Sequence, residues 1–487
     1  MAALEKKFYI ETMGCQMNKL DSELIVSQLR RLEFQQVDAP ATAGIIIFNT
    51  CAVRQHAEDK VISKIGQLRR RRREEPDLIL AVVGCMAQRL GNELLARHKE
   101  VDIVCGPGQI HRLGRMIEEV AAQRKQLAAL NENAAPDELE KLDYERDPDD
   151  SDTPFMAYLR IQRGCNKYCS YCVVPYVRGP EQSRPLEHIV EDARRLVEHG
   201  VKEITLLGQT VNSYKWQENG RTYGLADVLE RLHELEGLRR LRFVTSYPRD
   251  FDERILQAMR DLPKVCEYLH IPAQSGADRI LQAMNRHYTA AEYRALIERA
   301  RELVPGLAVA GDFIVGYSGE TEEDFAATKE LVRQVRYKNC FIFKYSPRPG
   351  TRADKKYPDD VPPEVKQRRN VELLELVNQI AREENQAYVG RDVEILVEGP
   401  SKKPHLNEGD GEASRVASRE SRVENQGGPP APIRKPQSTI RNPQLVGRTR
   451  GDHILVFNGP VNLIGQLARV RVVSASALTL FGEFLPR

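Results

Sequence analysis

Residues 163–172 read RGCNKYCSYC, in which Cys165, Cys169 and Cys172 follow a C-x3-C-x2-C spacing. The motif comes directly after an apolar run, Tyr158–Gln162, that predicts a strand. Three thiolates on one loop can bind three irons of a [4Fe–4S] cluster, whereas such clusters normally have four cysteine ligands. The spacing therefore predicts a cluster with one open iron. Zinc sites use overlapping spacings, so a zinc ion completed by a nearby residue such as His188 is the alternative.

An open iron would give this motif a chemical use. It can bind the amino and carboxylate groups of S-adenosylmethionine (SAM) and pass an electron to the sulfonium, which releases a carbon radical. The cofactor carries that chemistry, and the protein supplies its position and a closed cavity.

The motif also follows the first strand of a repeat between residues 154 and 387, in which a strand and a helix alternate six times. Helical stretches such as Leu186–His199 and Ala290–Val304 separate the strands. Six β/α units are too few for a closed eightfold barrel, so the pattern predicts a partial (β/α)6 barrel whose site is built by the loops after the strands. The predicted strands are Tyr158–Gln162, Glu203–Leu207, Leu241–Thr245, Tyr268–Ile271, Ala308–Val315 and Cys340–Tyr345.

A second α/β domain is predicted at residues 6–121, where strands and helices also alternate. This alternation is typical of a mostly parallel sheet covered by helices. The predicted strands are Phe8–Thr12, Gly44–Asn49, Leu78–Val83 and Val101–Val104.

Three cysteines of this domain, Cys15, Cys51 and Cys85, each follow the end of a predicted strand. The carboxyl ends of parallel strands share one edge of a sheet, where ligands bind. We therefore expect the three thiols to meet and to hold a second cluster with an open iron. The alternative is that they are buried cysteines packed as small hydrophobic residues. The remaining cysteines are interpreted as structural, and they are Cys105, Cys266 and Cys340.

Two segments differ in charge from the rest of the chain. Residues 132–152 contain ten acids and two bases, and we interpret residues 122–153 as an acidic linker. Residues 431–487 contain eight Lys/Arg and two acids, which is typical of a module that binds a polyanion. Short strand-like runs over residues 388–487 predict a small antiparallel β-barrel, interrupted at about 401–442 by an insertion that we expect to be disordered.

With 487 residues, the chain is expected to form two to four domains. We find neither a signal peptide nor an apolar run of the ~18 residues that a membrane span needs, so we expect a cytoplasmic protein without a membrane partner. Thiols stay reduced in that compartment. Its nine cysteines are therefore expected to be metal ligands, catalytic thiols or core residues.

Several motifs together resemble the radical SAM methylthiotransferase family, and the resemblance covers nearly the whole chain outside residues 122–153 and 401–442. Besides the stretch at 163–172, the matching motifs are Met13-Gly14-Cys15-Gln16-Met17-Asn18, Asn49-Thr50-Cys51, Val83-Gly84-Cys85-Met86, Val174-Pro175 through Arg178-Gly179, His270-Ile271-Pro272-Ala273-Gln274-Ser275-Gly276 and Tyr345-Ser346-Pro347-Arg348-Pro349-Gly350-Thr351.

The resemblance implies two [4Fe–4S] clusters, and SAM as both methyl donor and radical source. The first triplet would hold the SAM-cleaving cluster, and the triplet of the N-terminal domain would hold an auxiliary cluster. By the same resemblance, Tyr171 contacts the SAM adenine, and Ile314, Gly316 and Glu320 belong to the strand end that binds SAM. The C-terminal module resembles a TRAM domain, an RNA-binding β-barrel, with Arg448, Arg450, Arg469 and Arg471 as candidates for phosphate contacts.

Residues 16–18 are most similar to the members of the family that act on N6-isopentenyladenosine at position 37 of tRNA, beside the anticodon. Other members act on threonylcarbamoyladenosine in tRNA or on a ribosomal protein side chain, and they remain the alternatives. A distant alternative is a non-catalytic, zinc-bearing RNA-binding protein. The expected partners of the enzyme are the tRNA anticodon loop and an electron donor such as flavodoxin or ferredoxin, and we expect a monomer.

Overall fold

The computed structural model describes residues 6–52, 55–130, 136–151, 153–402 and 443–486. The chain divides into two compact units, Met1–Leu376 and Val377–Arg487. The larger unit contains both predicted α/β regions. The three-domain division at residues 121, 153 and 387 stays a prediction.

The first region of the larger unit is a six-stranded parallel sheet. Its strands are β1 (Lys7–Met13), β2 (Gln35–Gln36), β3 (Ile45–Thr50), β4 (Ile79–Gly84), β5 (Ile103–Cys105) and β6 (Leu127–Ala129), in the order β2-β1-β3-β4-β5-β6. The helices are α1 (Gln16–Arg31), α2 (Gln55–Glu74), α3 (Cys85–Leu90), α4 (Asn92–Arg97) and α5 (Leu113–Gln123). Every residue of β3 and β4 is buried, because helices cover both faces of the sheet. The prediction of a parallel sheet is therefore confirmed.

Part of the predicted acidic linker is folded. Within it, β6 adds the sixth strand to the sheet, and α6 (Pro136–Tyr144) follows. Two acids of α6 have buried basic partners, and the role of the segment as a linker stays a prediction. Asp143 pairs with Arg160 and Arg163, and Glu140 Oε2 lies 2.7 Å from Arg184 Nε. The negative charge of this segment thus neutralises arginines of the following region.

The second region begins with six short strands that alternate with short helices and loops. They are β7 (Met156–Arg160), β8 (Gln162–Arg163), β9 (Gln182–Ser183), β10 (Glu203–Leu207), β11 (Trp216–Glu218) and β12 (Arg221–Tyr223). Four more strands follow, namely β13 (Arg240–Phe243), β14 (Tyr268–His270), β15 (Ala308–Val315) and β16 (Asn339–Lys344). The helices are α7 (Val174–Arg178), α8 (Leu186–Glu198), α9 (Leu225–His233), α10 (Glu253–Asp261), α11 (Asp278–Ala283), α12 (Ala290–Leu303), α13 (Glu322–Val335), α14 (Arg352–Lys356) and α15 (Pro363–Gln386).

Six of these strands form the partial barrel that the sequence predicts. The parallel sheets β7-β10-β13 and β14-β15-β16 are joined by a parallel bridge between Leu241 and Val265, so the strands follow one another in chain order. The predicted strands at 203–207 and 308–315 have the observed bounds, and the other four differ by one or two residues. The (β/α)6 prediction is confirmed.

The smaller unit is a closed five-stranded barrel. Its strands are β17 (Asp392–Pro400), β18 (Gln444–Thr449), β19 (Ile454–Asn458), β20 (Leu467–Ala475) and β21 (Thr479–Leu485), in the order β17-β18-β19-β21-β20. Its core includes Ile395, Leu455 and Val470. The barrel is confirmed, but β19 and β21 pair in parallel, whereas the other pairs are antiparallel as expected.

The predicted disordered insertion lies almost wholly outside the described residues, but its two ends lie side by side. Ser401 N donates to Gln444 O at 2.9 Å, and Pro400 faces Leu445 across the β17–β18 pair. A short turn can therefore close this hairpin. Shortening a loop also reduces the entropy cost of closing it, by about 0.6 kcal/mol for each halving of its length.

We expect that replacing residues 403–442 with a five-residue Gly/Ser linker leaves the barrel folded, with an unchanged or slightly higher thermal midpoint. Thermal unfolding followed by circular dichroism measures this. A fall in the midpoint of more than about 5 °C, or loss of protein yield, would show that the insertion supports the barrel.

The buried carboxylate of Asp143 generates a second prediction. Burial alone would raise its pKa, but Arg160, Arg163 and Arg184 hold the pKa at about 2, well below its ordinary value. Because the folded-state pKa is depressed, this stabilisation is present above pH 4 and is lost as the pH falls from about 4 towards 2. We expect D143N to lower the free energy of unfolding by about 3 kcal/mol at pH 7, since it removes one of the two carboxylates that neutralise the buried Arg160 and Arg163.

Urea unfolding of D143N and the parent protein between pH 2 and pH 7 measures both effects. The matched control is E187Q, which removes the exposed ion pair of Glu187 with Arg231 and should change the free energy of unfolding by less than about 1 kcal/mol. Equal losses in D143N and E187Q would contradict the assignment of a stabilising role to the buried carboxylate.

Candidate active site

The loop that carries the first cysteine triplet closes on itself. Cys165 N donates to Gly179 O at 3.1 Å, and Cys172 N donates to Cys169 O at 2.9 Å. Gly164 has φ +69°, and a Cβ at this position would lie 1.9 Å from Pro180 O. Only glycine therefore allows the two ends of the loop to approach this closely. Cys165 is buried, whereas Cys169 and Cys172 are half-buried.

The thiols of this triplet are surrounded by buried side chains and by one arginine. Burial raises the pKa of Cys165 to about 11, and burial also raises the pKa of Cys172. Arg286 Nη1 lies 3.4 Å from Cys169 Sγ, and its guanidinium is 4.5 Å from the ring centre of Tyr247. Three thiols on one loop, with an arginine donor on one sulfur, fit a site that holds thiolates on metal, because thiolate ligation is normal for Fe–S clusters.

The second triplet lies at the carboxyl edge of the parallel sheet, as the sequence predicts. Cys15 follows β1, Cys51 follows β3, and Cys85 is the first residue of α3. A side-chain hydrogen bond with Cys51, assisted by the charge of Arg178, lowers the pKa of Cys15 to about 6 despite an opposing effect of burial. Burial raises the pKa of Cys85, which also interacts with the charges of Arg178 and Cys15. The structure thus brings the three thiols to one place.

Two buried asparagines explain why glycine precedes Cys15 and Cys85 in the sequence. Asn18 Nδ2 donates to Asn49 Oδ1 at 3.0 Å, and the Asn18 side chain also contacts the Sγ of Cys15 at 3.4 Å. Both asparagines are fully buried. A Cβ on Gly84 would lie 2.6 Å from Asn49 Oδ1, and one on Gly14 would lie 2.4 Å from Asn18 Oδ1. The glycines that precede Cys15 and Cys85 therefore make room for the amide pair.

The alternative of a zinc ion at the first triplet would need four ligands around one position. In the described part of the chain, no group of three or more His, Cys, Asp or Glu side chains is arranged around a single ion position. A structural zinc ion needs four ligands around one atom, whereas each thiolate of a [4Fe–4S] cluster binds a different iron. His188, the candidate fourth zinc ligand, lies 3.6 Å from Glu140 and is more than half exposed. The side chain of His188 therefore has an acidic partner in the structure.

The two triplets are linked by the helix that follows the first one. In α7, Val177 packs with Val173, Ala52 and Cys85 of the second site. Arg178 Nε donates to Cys85 Sγ at 3.2 Å, and Arg178 Nη2 donates to Asp21 Oδ2 at 2.8 Å. The sequence shows Arg178 only as part of a motif and does not indicate Arg286, because a contact to a distant sulfur has no local signal.

The predicted SAM contacts occupy one region of the barrel. Tyr171 and Ile314 pack against one apolar cluster that includes Tyr317. Gly316 has φ +71°, and its N–H donates to Glu320 Oε1 at 2.9 Å. The Glu320 carboxylate is buried and pairs with Arg369 at 2.7 Å. In the structure Glu320 therefore holds the loop after β15, and contact of these four residues with SAM stays a prediction.

The predicted RNA-binding arginines differ in their surroundings. Arg448 pairs with Glu398 at 3.0 Å and with Asp452 at 2.9 Å. Arg469 and Arg471 lie on the exposed face of β20, where they share Asp392. Arg450 follows β18 in a turn. Binding of RNA by these side chains stays a prediction.

None of the described helices is both long enough and apolar enough to cross a bilayer.

Comparison with known proteins identifies two family models in the chain. The one described as the Radical SAM superfamily matches residues 159–332, and the one described as "Uncharacterized protein family UPF0004" matches residues 7–106. Each model covers one cysteine triplet. Among solved structures, the radical S-adenosylmethionine methyltransferase TsrM from Kitasatospora setae is 13% identical with a TM-score of 0.48, over 69% of this chain and 73% of that chain.

Full-length relatives are much closer in sequence. A protein of Rhodopirellula baltica named tRNA-2-methylthio-N(6)-dimethylallyladenosine synthase is 43% identical over 99% of this chain and 96% of its own length. A protein of Moorella thermoacetica with the same name is 39% identical over the whole of both chains. The chain therefore belongs to the radical SAM methylthiotransferase family, in the group of the tRNA-2-methylthio-N(6)-dimethylallyladenosine synthases.

Proposed function

We propose that this enzyme transfers a methylthio group to C2 of N6-isopentenyladenosine at position 37 of tRNA. The observation that carries the proposal is the joining of two three-cysteine sites in one compact unit, where Arg178 extends from the helix after one triplet to a sulfur of the other. The names of the full-length relatives supply the substrate.

The two triplets have different roles in this proposal. Cys165, Cys169 and Cys172 hold the cluster that cleaves SAM, and the second triplet, Cys15, Cys51 and Cys85, holds the auxiliary cluster. When bound, these clusters and SAM supply the electron, the radical, the methyl group and the sulfur. The chain itself supplies the thiolates, excludes water by burial, and fixes the distance between the sites through α7.

The substrate explains why two clusters are needed. The C2–H bond of an adenine is neither acidic nor electrophilic enough for ordinary acid–base or nucleophilic chemistry, so a radical must remove the hydrogen. A separate group must then provide sulfur to the same carbon. Both cofactors must lie close to one base, which agrees with the direct contact between α7 and the second triplet.

Two exposed aromatic side chains lie near the first triplet, one on its loop and one on α7. Tyr168 and Tyr176 are 48% and 56% exposed, and their ring centres are 6.2 Å apart in an edge-to-face pair. Bases in RNA loops can be turned out of the stack and bound on aromatic rings. This pair supports entry of the anticodon loop from the side of Cys169.

The alternatives within the family use the same six cysteines. A methylthiotransferase for threonylcarbamoyladenosine or for a ribosomal protein would differ in its substrate pocket rather than in its clusters. The relatives with 39–43% identity favour the isopentenyladenosine substrate. We also propose that a flavodoxin or ferredoxin supplies electrons, and that the enzyme acts as a monomer in the cytoplasm.

The division of roles predicts different defects for the two triplets. Each cluster needs all of its thiolates, so one Cys→Ala change should abolish only the cluster that it touches. We expect C169A to lose both reductive SAM cleavage and product. We expect C51A to keep SAM cleavage and about half of the iron, but to form no methylthiolated tRNA. Anaerobic assays of 5′-deoxyadenosine and of modified nucleosides measure this.

The control variant is C105A, because Cys105 also lies at a strand end of the same sheet but is buried in the core. It should keep the iron content and both activities. Multiple turnovers of methylthiolated product by C51A would contradict the auxiliary-cluster assignment, and SAM cleavage by C169A would contradict the assignment of the first triplet.

The smaller unit generates a prediction about RNA binding. Residues 469 and 471 alternate with buried core residues, so both arginines point outwards from β20, where both pair with Asp392. We expect R469A/R471A to weaken tRNA binding. The slope of the logarithm of the binding constant against the logarithm of the salt concentration should become shallower by about one to two, since each phosphate contact contributes about one.

Filter binding at 50–300 mM salt measures the slope. R260A/R299A is the matched control, because Arg260 and Arg299 are exposed, ion-paired arginines of the larger unit. The same slope in both double variants would show that β20 does not contact phosphates.

A further inference from the structure

Arg178 is the only side chain for which the structure gives a hydrogen bond to Cys85, among the described residues. Its Nε lies 3.2 Å from Cys85 Sγ. The Arg178 side chain is only 7% exposed. A guanidinium in such surroundings is a strong donor, because a charged hydrogen bond is about twice as strong as a neutral one and burial reduces screening by water.

The rest of the guanidinium is fixed from the other side. Arg178 Nη2 donates to Asp21 Oδ2 at 2.8 Å, and Asp21 Oδ1 accepts from Arg160 Nη1 at 3.0 Å. Asp21 is 1% exposed, and the Arg160 side chain is 2% exposed. Asp21 therefore bridges two arginines, of which only Arg178 contacts a cysteine. Arg160 offers a matched comparison for this reason.

The same helix end also contacts the first triplet. Gly179, the next residue, accepts the hydrogen bond from Cys165 N at 3.1 Å. One dipeptide, Arg178-Gly179, thus holds a cysteine of each site. Movement of this dipeptide would displace Cys165 and Cys85 together.

We propose that Arg178 is a positioning residue for the auxiliary cluster, which orients the Cys85 thiolate and raises the reduction potential of the cluster. The inference rests on the proposed function, because it needs a cluster on Cys15, Cys51 and Cys85. Hydrogen bonds to ligand sulfurs and nearby charge are known determinants of cluster potential. Reduction adds negative charge to the cluster, so a positive donor at the sulfur stabilises the reduced form and makes the midpoint potential less negative.

The test uses the full chain with C165A/C169A/C172A, which leaves only the auxiliary site. Into this parent we would introduce R178Q, R178K and, as control, R160Q. Iron and sulfide content, the EPR spectrum and the midpoint potential are measured anaerobically for each. We expect a more negative midpoint and an altered EPR signal in R178Q, with an intermediate midpoint in R178K, because lysine keeps the charge but not the fork of donors. R160Q changes the partner of Asp21 but keeps the Arg178 donor at the sulfur, so its midpoint should stay closer to that of the parent than the midpoint of R178Q.

The midpoint and the iron content of R178Q and R160Q together decide whether the proposal holds. If R178Q binds four irons with the parent midpoint and EPR signal, Arg178 has no such role. If R178Q and R160Q shift the midpoint or lose iron to the same extent, Arg178 acts only through the ion-pair network, and the proposal is wrong. If R178Q loses its iron while R160Q keeps it, and circular dichroism shows both to be folded, the positioning role is supported. A parent without iron and sulfide would instead contradict the ligand assignment within the proposed function.

Discussion

Arg160 occupies the centre of the buried charge network on which the larger unit depends. It extends from β7 and pairs with Asp21 of α1 on one side and with Asp143 of α6 on the other. Burying an arginine costs several kcal/mol unless each charge meets a well-placed partner. The elements α1, α6 and β7 are therefore held in one arrangement, since displacement of any of them would separate a buried charge from a partner. The network comprises Arg160, Arg163, Arg178 and Arg184 with Asp21, Glu140, Asp143 and Asp192.

This network also extends to a cysteine of the second triplet. Asp21 is held by Arg160, and it in turn holds the guanidinium that reaches Cys85. An apolar contact could bring α7 close to α3, but it would not fix the orientation of the side chains of one helix towards the other. A chain of forked hydrogen bonds fixes both distance and orientation, which is what a site with two cofactors acting on one substrate carbon requires.

Much of this arrangement could be predicted from the sequence, because periodicity and strand-end position are local properties. The parallel sheet, the six barrel strands and the convergence of Cys15, Cys51 and Cys85 follow from apolar runs and from the shared edge of parallel strands. Short elements such as β2 and β6 could not be found this way, because two or three residues carry no periodicity. The pairings of Arg178 and Arg286 with sulfur depend on side chains brought together from different elements, and a single sequence does not show them.

The acidic segment shows that local composition alone does not predict which parts of residues 122–153 form helices and strands. A run of acids predicts disorder when the charges have no partners, because repulsion and hydration then oppose burial. Here Arg160, Arg163 and Arg184 lie on the neighbouring barrel region, and they convert the same acids into the most buried ion pairs of α6. Net charge must therefore be judged over the surfaces that pack together rather than along the chain. Arg160, Arg163 and Arg184 offset part of the negative charge of the segment, and the Arg160–Asp143 pair joins α6 to β7.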